Sequence, residues 1–310
     1  MSMNILITGS EGYIGSRLTE VLSQHHRVFG IDIRETSPST YHYTRMDIRD
    51  PLLADLIRDK QITHVIHLAS IVSPGADPER DFDIDINGTR NLLKACVAHN
   101  VGHITVTSSG AAYGYYADNP AWLKETDTLR GNASFSYSYH KRLIEEMLKD
   151  YRVKAPQLKQ LILRPGTVLG KHTDNMITNL FRKNRLLAIQ GSASPFVFIW
   201  DEDVVNILRS GCENSISGIF NLAGDGAMTI QEIAAVLGKK NLTLPAWLLK
   251  SALFIGKSAR LTQYGPEQLD FLRYRPVLDN TALKNVFGFR PQKSSREVFE
   301  YYASQQGLLP

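Results

Sequence analysis

Short apolar runs alternate with stretches of helical periodicity through the first half of the chain. "NILITG" reads as a strand, and "GYIGSRLTEVLSQ" then repeats apolar residues at helical spacing. "RVFGIDI" is a second strand, and "PLLADLIRDK" a helix with proline at its start. "THVIHLAS" and "HITVTSS" are strands on either side of a helix from about Asp83 to Asn100. "SYHKRLIEEMLKDYR" is a helix and "LKQLILRPG" a strand. Strands this continuously apolar, separated by helices, predict βαβ units and a parallel sheet covered on both faces.

After Gly166 the rhythm changes. A helix at about 175–187 leads to "PFVFIWDEDVV", a short strand "IFNLAG" and a helix "TIQEIAAVLG". Further helices run through "PEQLDFLRY" and "SSREVFEYYASQQG", the last with an N-cap at Ser294 or Ser295. This predicts a large α/β domain over 1–166, with segments at about 197–225 returning to it. The remainder, 167–196 and 226–310, reads as a smaller, mostly helical lobe. "LPAWLLKSALFIG" is too short to span a bilayer and Lys250 interrupts it, so a packed or partner-facing helix is expected there.

"TGSEGYIG" places Gly9, Gly12 and Gly15 between the first strand and the first helix. Glycines allow a tight turn and let backbone N–H groups approach a pyrophosphate, and the helix N-terminus adds partial positive charge. Asp32 ends the next strand, where a carboxylate accepts from both hydroxyls of an adenine ribose and repels a 2′-phosphate. That favours NAD over NADP, although Arg34 nearby could meet such a phosphate. The expected fold is therefore a doubly wound, Rossmann-type sheet.

"FSYSYHKR" holds two tyrosines before one lysine. Residues four apart share a helix face and residues two apart do not, so Tyr137 pairs with Lys141 and Tyr139 does not. A free phenol, with a pKa near ~10, is a poor acid–base group at neutral pH; a neighbouring ammonium favours its ionised form. Lys141 can also hold the hydroxyls of a nicotinamide ribose while Tyr137 exchanges a proton with a substrate oxygen. "VTSSGAAYG" puts Ser108 and Ser109 at the C-terminal end of a strand, where either could orient that oxygen.

With "DIRD", "VIHLAS", "INGTRNLLKAC", "LRPGTVLG", "FIWDEDVV" and "FNLAGDG" in this order, the chain resembles the extended short-chain dehydrogenase/reductase superfamily, in its NAD-dependent epimerase/dehydratase branch. The resemblance implies that Gly9, Gly12, Tyr13, Ile14 and Gly15 cradle the pyrophosphate and that Asp32 holds the ribose. It implies Asp47 and Ile48 beside the adenine, and Leu68, Ala69 and Ser70 along the cofactor. Asn87 would support an active-site water, and Pro165, Gly166, Thr167 and Val168 would lie near the nicotinamide. Ser109 rather than Ser108 matches the family serine, beside Tyr137 and Lys141. Gly110 and Ala111 follow Ser109 where dehydratases carry an acidic residue, so water elimination is not expected. Thr167 and Trp200 also depart from the asparagine and histidine common among nucleotide-sugar members. Family members are often dimers through a four-helix contact, which makes a homodimer the expectation.

Composition narrows the rest. Hydrophobic residues make up 43% and charged residues 21%, as in an ordinary soluble protein. The net charge of +4 is not concentrated in any basic run, so no nucleic-acid partner is expected. Cys96 and Cys212 lack metal-type spacing and read as buried free thiols of a cytoplasmic protein. His64, His67 and His103 read as packing or hydrogen-bonding residues, His140 as a bystander, and "PERDFDIDI" as a solvated acidic stretch. No metal is expected. The function read from the residues is hydride transfer at a secondary alcohol or ketone carbon, with a nucleotide sugar among the candidate substrates. The alternatives are a reductase of a steroid-like or other small carbonyl compound and a non-catalytic NAD(P)-sensing module.

Overall fold

The computed structural model describes residues 2–35, 40–72, 77–258, 265–266 and 268–310. In chain order the elements begin β1 (Asn4–Thr8), α1 (Tyr13–Ser23), β2 (Arg27–Asp32), β3 (His42–Arg45), α2 (Leu53–Asp59) and β4 (His64–His67). Next come α3 (Pro78–Phe82), a π-helical turn (Asp83–Asn87), α4 (Gly88–Ala98), β5 (His103–Thr107), a 3₁₀ turn (Gly110–Tyr113), α5 (Ser136–Lys154) and β6 (Lys159–Pro165). β7 (Thr167–Leu169), α6 (Met176–Phe181), β8 (Arg185–Ile189), β9 (Phe198–Trp200), α7 (Asp201–Glu213) and β10 (Gly218–Leu222) follow. The chain ends with α8 (Ile230–Val236), β11 (Lys240–Leu244), α9 (Ala246–Ser258), α10 (Gln268–Arg273), a π-helical turn (Leu283–Phe287) and α11 (Ser295–Gln305).

The chain divides into two compact units. The first comprises 1–109, 140–164 and 202–220; the second comprises 110–139, 165–201 and 221–310. The segment 110–139 thus falls in the second unit, a division that the sequence boundary at 166 did not draw.

The main sheet has the order β10-β6-β5-β4-β1-β2-β3, and the pairs from β6 through to β3 are parallel. The registers Thr8↔His67, Thr8↔Ile31, His67↔Val106 and Thr107↔Leu163 bring the C-terminal ends of these strands level. That is the edge at which ligands bind in open parallel sheets. The doubly wound α/β fold expected from the apolar runs is the fold observed. Leu6, Val65, Ile104 and Ile162 from the strands join Leu92, Cys96 and Leu148 from the helices in one buried cluster. Cys96 and Cys212 are buried free thiols, and burial pushes each up to about 12. In the second unit Phe181, Phe196, Phe198, Phe299 and Tyr302 form a core of their own, with Phe181 edge-on to Phe299 at 5.1 Å.

Several elements differ from the sequence reading. β3 carries no apolar signal because it is an exposed edge strand. The helix placed at 83–100 begins at Pro78, where the Asp77 side chain accepts from the Arg80 N–H, and contains the π turn. "PERDFDIDI" is therefore not solvated throughout: Asp81 and Asp85, one turn apart, are both buried. The helix placed at 175–187 ends at Phe181, because "RLLAI" pairs in parallel with β11. α9 has no buried residue, although it lies against α10. α10 lies within "PEQLDFLRY"; Glu267 of that stretch is outside the described residues. Ser294 caps α11 in a reciprocal box with Glu297, while Ser295 is buried against the backbone of Gly226. Among the described residues no helix is long and apolar enough to cross a membrane.

Candidate functional site

The glycine turn is closed so tightly that side chains are excluded from it. Gly9 has φ +71°, and a Cβ on it would meet the Ala69 nitrogen at 2.8 Å. A Cβ on Gly15 would meet the Gly9 carbonyl oxygen at 2.1 Å. The Gly12 N–H donates to that same carbonyl at 3.0 Å. Gly12 is the N-cap of α1 and makes no side-chain cap, so Tyr13, Ile14 and Gly15 open the helix with backbone donors for an anion. This cradle fits the pyrophosphate of a dinucleotide. Gly15→Ala is expected to weaken NAD⁺ binding by roughly 100-fold, measured by calorimetry, because the turn must open to admit the methyl group.

Asp32 stands at the end of β2 beside this turn. Its carboxylate accepts from the Glu11 N–H at 3.1 Å and the Arg34 N–H at 3.2 Å. Arg34 is exposed and its guanidinium donates to the Glu11 carbonyl oxygen, which ties it to the glycine loop. Leu68 and Ala69 lie against the same turn: the Leu68 N–H donates to the Thr8 carbonyl oxygen and the Ala69 N–H to Thr8 Oγ1. Ser70 Oγ donates to Asp85. Asp47 is engaged by Arg49 at 2.7 and 2.9 Å, and those bonds hold its carboxyl below the usual range against the opposing effect of burial. Ile48 packs in the apolar core, where a Cβ on Gly88 would lie 2.4 Å from its methyl carbon. Asn87 is exposed, donates to Asp83 at 2.7 Å and accepts from Arg90, so the structure does not bring it among the others. The residue of that stretch that turns inward is Asp85.

At the end of β5 the two serines have different surroundings. Ser108 Oγ donates to Glu145 at 2.5 Å, and Glu145 in turn takes the Arg164 guanidinium at 2.6 and 2.9 Å in a fully buried pair. Ser109 is also buried, 8% exposed. Lys141 is 5% exposed, and its Nζ donates to the Thr107 carbonyl oxygen at 3.0 Å. Burial pushes the Lys141 ammonium below its usual range, and the nearby charges of Asp85 and Glu145 oppose that. His140, read from sequence as a bystander to the chemistry, is buried and hydrogen-bonded through Nδ1 to Asp85 at 2.8 Å.

In the second unit, Tyr137 occupies the first turn of α5, one turn before Lys141, and its ring centroid lies 6.2 Å from that of Phe135. Pro165 ends β6; the Gly166 N–H donates to the Leu222 carbonyl, the Thr167 N–H donates to the Val197 carbonyl, and Val168 pairs with Ile199. The same unit holds a cation that the sequence did not single out. Arg275 stacks on Phe196 at 3.8 Å, and its Nη1 donates to Ser194 Oγ at 2.7 Å. Burial lowers it to about 10, so it stays charged at neutral pH. Its Nε has no hydrogen-bond partner among the described residues. Arg275 directly follows "PEQLDFLRY" and Phe196 lies in "PFVFIWDEDVV", but neither stretch signals that the two side chains meet; the fold brings them together. Among the described residues no cluster of His, Cys, Asp or Glu could hold a metal ion.

Comparisons with known proteins show the family and the fold. The NAD dependent epimerase/dehydratase family model matches residues 5–223. An uncharacterized protein of Mycobacterium tuberculosis strain H37Rv is 23% identical over 99% of this chain and 85% of its own length. The N-acetyl-alpha-D-glucosaminyl-diphospho-ditrans,octacis-undecaprenol 4-epimerase of Escherichia coli O157:H7 is 28% identical over 76% of this chain and 71% of its own. The solved UDP-glucose 4-epimerase of Thermus thermophilus, in complex with NAD, matches with a TM-score of 0.74 at 23% identity over 98% of each chain, a likeness of fold. With its tightly closed glycine turn and a family match across residues 5–223, this chain belongs to the NAD-dependent epimerase/dehydratase family, whose cofactor is NAD.

Proposed function

We propose that the protein is an NAD-dependent epimerase acting at a secondary alcohol carbon of a sugar that carries a diphosphate. The observation that carries this reading is the buried ammonium of Lys141, fixed on the Thr107 carbonyl one helical turn after Tyr137. NAD, when bound, supplies the hydride acceptor. Tyr137 removes the hydroxyl proton as the carbon is oxidised and returns it as the carbon is reduced. Lys141 supplies positive charge toward the ionised phenol. Ser109 donates to the substrate oxygen and holds it in line, while the Ser108 hydroxyl donates to Glu145.

Three further observations support the substrate class. The Escherichia coli relative is an epimerase of a sugar on a diphospho-lipid, and the Thermus structure is an epimerase of a UDP-sugar. Arg275 offers a charged guanidinium, not paired with a carboxylate among the described residues, for a phosphate oxygen. Gly110 and Ala111 after Ser109 offer no acid for a leaving hydroxyl, which sets this chain apart from a dehydratase.

The test is the fate of the cofactor. Purified protein is incubated with UDP-glucose, and NAD is released by denaturation before and after turnover. One NAD per chain, retained and still oxidised while the sugar is epimerised, is the expected result. Stoichiometric accumulation of NADH, exchanging with the medium, would overturn epimerisation in favour of net oxidation.

A further inference from the structure

A buried polar network in the first unit runs from the glycine turn to the turn of α5 that bears Lys141. Thr8, immediately before Gly9, bonds His67 Nδ1 at 2.7 Å, and His67 Nε2 bonds Thr89 Oγ1 at 3.0 Å. Thr89 spends its only hydroxyl proton on the Asp85 carbonyl at 2.5 Å. His67 must therefore donate from Nε2 to Thr89 and accept at Nδ1 from the Thr8 hydroxyl. Burial pushes His67 down to about 3, so the ring is neutral, as this pattern requires.

The side chain of Asp85 opens a second branch. One oxygen accepts from the Ile71 N–H at 2.9 Å and from Ser70 Oγ at 3.2 Å; the other accepts from His140 Nδ1 at 2.8 Å. The carboxyl is 2% exposed and His140 is 4% exposed, with the Phe82 ring edge-on to the imidazole at 5.5 Å. Burial alone would raise Asp85, but the His140 and Ile71 bonds and the Lys141 charge hold it below its usual range. The carboxylate can only accept, so the proton of this bond sits on His140 Nδ1. Asp85 reaches these partners from the π turn, a departure from regular helix often found at functional sites.

We propose that Asp85 and His140 are positioning residues. Together they clamp the α5 turn carrying Lys141 to the segment Leu68–Ile71, and so set the geometry in which NAD is held. The inference rests on reading Lys141 and Leu68–Ser70 as residues that line the cofactor. His140 precedes Lys141 directly, so a shift of the imidazole rotates the ammonium. Ser70 and Ile71 share one carboxylate oxygen and His140 takes the other, so loss of the imidazole parts the α5 end of the clamp from Asp85.

The test compares His140→Ala with His140→Asn, whose amide N–H can reach Asp85 from nearly the place of Nδ1–H. NAD⁺ dissociation constants are measured by calorimetry, and thermal unfolding of each cofactor-free protein is followed in parallel. Val298→Ala, in the core of the second unit, serves as a control for lost stability alone. The expected result is that His140→Ala weakens NAD⁺ binding about 10-fold to 100-fold, the scale on which small misplacements act. His140→Asn is expected to stay within about threefold of wild type, and Val298→Ala to lower the unfolding temperature without changing NAD⁺ affinity. Unchanged affinity in His140→Ala, or no rescue by His140→Asn, would overturn the clamp. If the wild-type protein itself fails to bind NAD⁺, the reading beneath the inference has failed instead.

Discussion

Tyr137→Phe is expected to lower kcat for epimerisation by roughly 10²–10⁴-fold while NAD⁺ affinity stays near the wild-type value. The substitution removes one oxygen. The ring keeps its neighbour Phe135, and α5 keeps its buried residues Ser138, His140 and Lys141, so the fold is retained. On the proposed mechanism, what is lost is the group that takes and returns the proton at the reacting carbon. Tyr139→Phe is the matched control: it stands two residues before Lys141, off the shared face, and is expected to leave turnover within about twofold. The two variants are compared under saturating UDP-glucose with bound NAD quantified in each. A Tyr137→Phe enzyme turning over at wild-type speed would remove the phenol from the chemistry, whatever the cofactor does.

The largest stability effect is expected at Arg164. Its guanidinium meets Glu145 at 2.6 and 2.9 Å, and both side chains are 3% exposed. Arg164→Met leaves a carboxylate in the interior that still accepts from the Ser108 hydroxyl but has lost its cation. Removing one partner of such a pair costs about 3–5 kcal/mol, because the surviving charge is stranded away from water. Urea denaturation should show that loss. The double variant Arg164→Met/Glu145→Gln should recover part of it, since the stranded charge is then gone. A loss below 1 kcal/mol in the single variant would mean that water reaches Glu145 or that the strand relaxes around it. Because Ser108 anchors to the same carboxylate, Arg164→Met should also disturb the end of β5 and hence Ser109.

The sheet and the glycine turn were readable because each leaves a local trace. Buried parallel strands need unbroken apolar runs, and a pyrophosphate cradle needs glycine where a Cβ would strike backbone, as at Gly9 and Gly15. The helix that carries Tyr137 and Lys141 was readable for the same reason, since its period is fixed by the backbone. β3 was not, because an exposed edge strand carries no apolar period. Residues whose role depends on distant partners were also opaque. Asp85 belongs to a stretch that looks solvated, and its burial follows from a π turn and from partners fourteen and fifty-five residues away. Asn87 suggested itself from the same motif, yet it faces outward toward Asp83 and Arg90. Arg275 acquires its aromatic surroundings only when Phe196 and Phe271 are brought to it.

The two cysteines, both sealed inside the first unit, offer a built-in clock. A thiol held this far from ionisation, with no path to reagent, is alkylated only when the surrounding structure opens. Labelling rates with a maleimide, followed by mass spectrometry at each site, would therefore time the breathing of the sheet near α4 and α7 separately. No probe needs to be engineered, and slowing of both rates by added NAD⁺ would report how firmly the cofactor closes the unit that holds it.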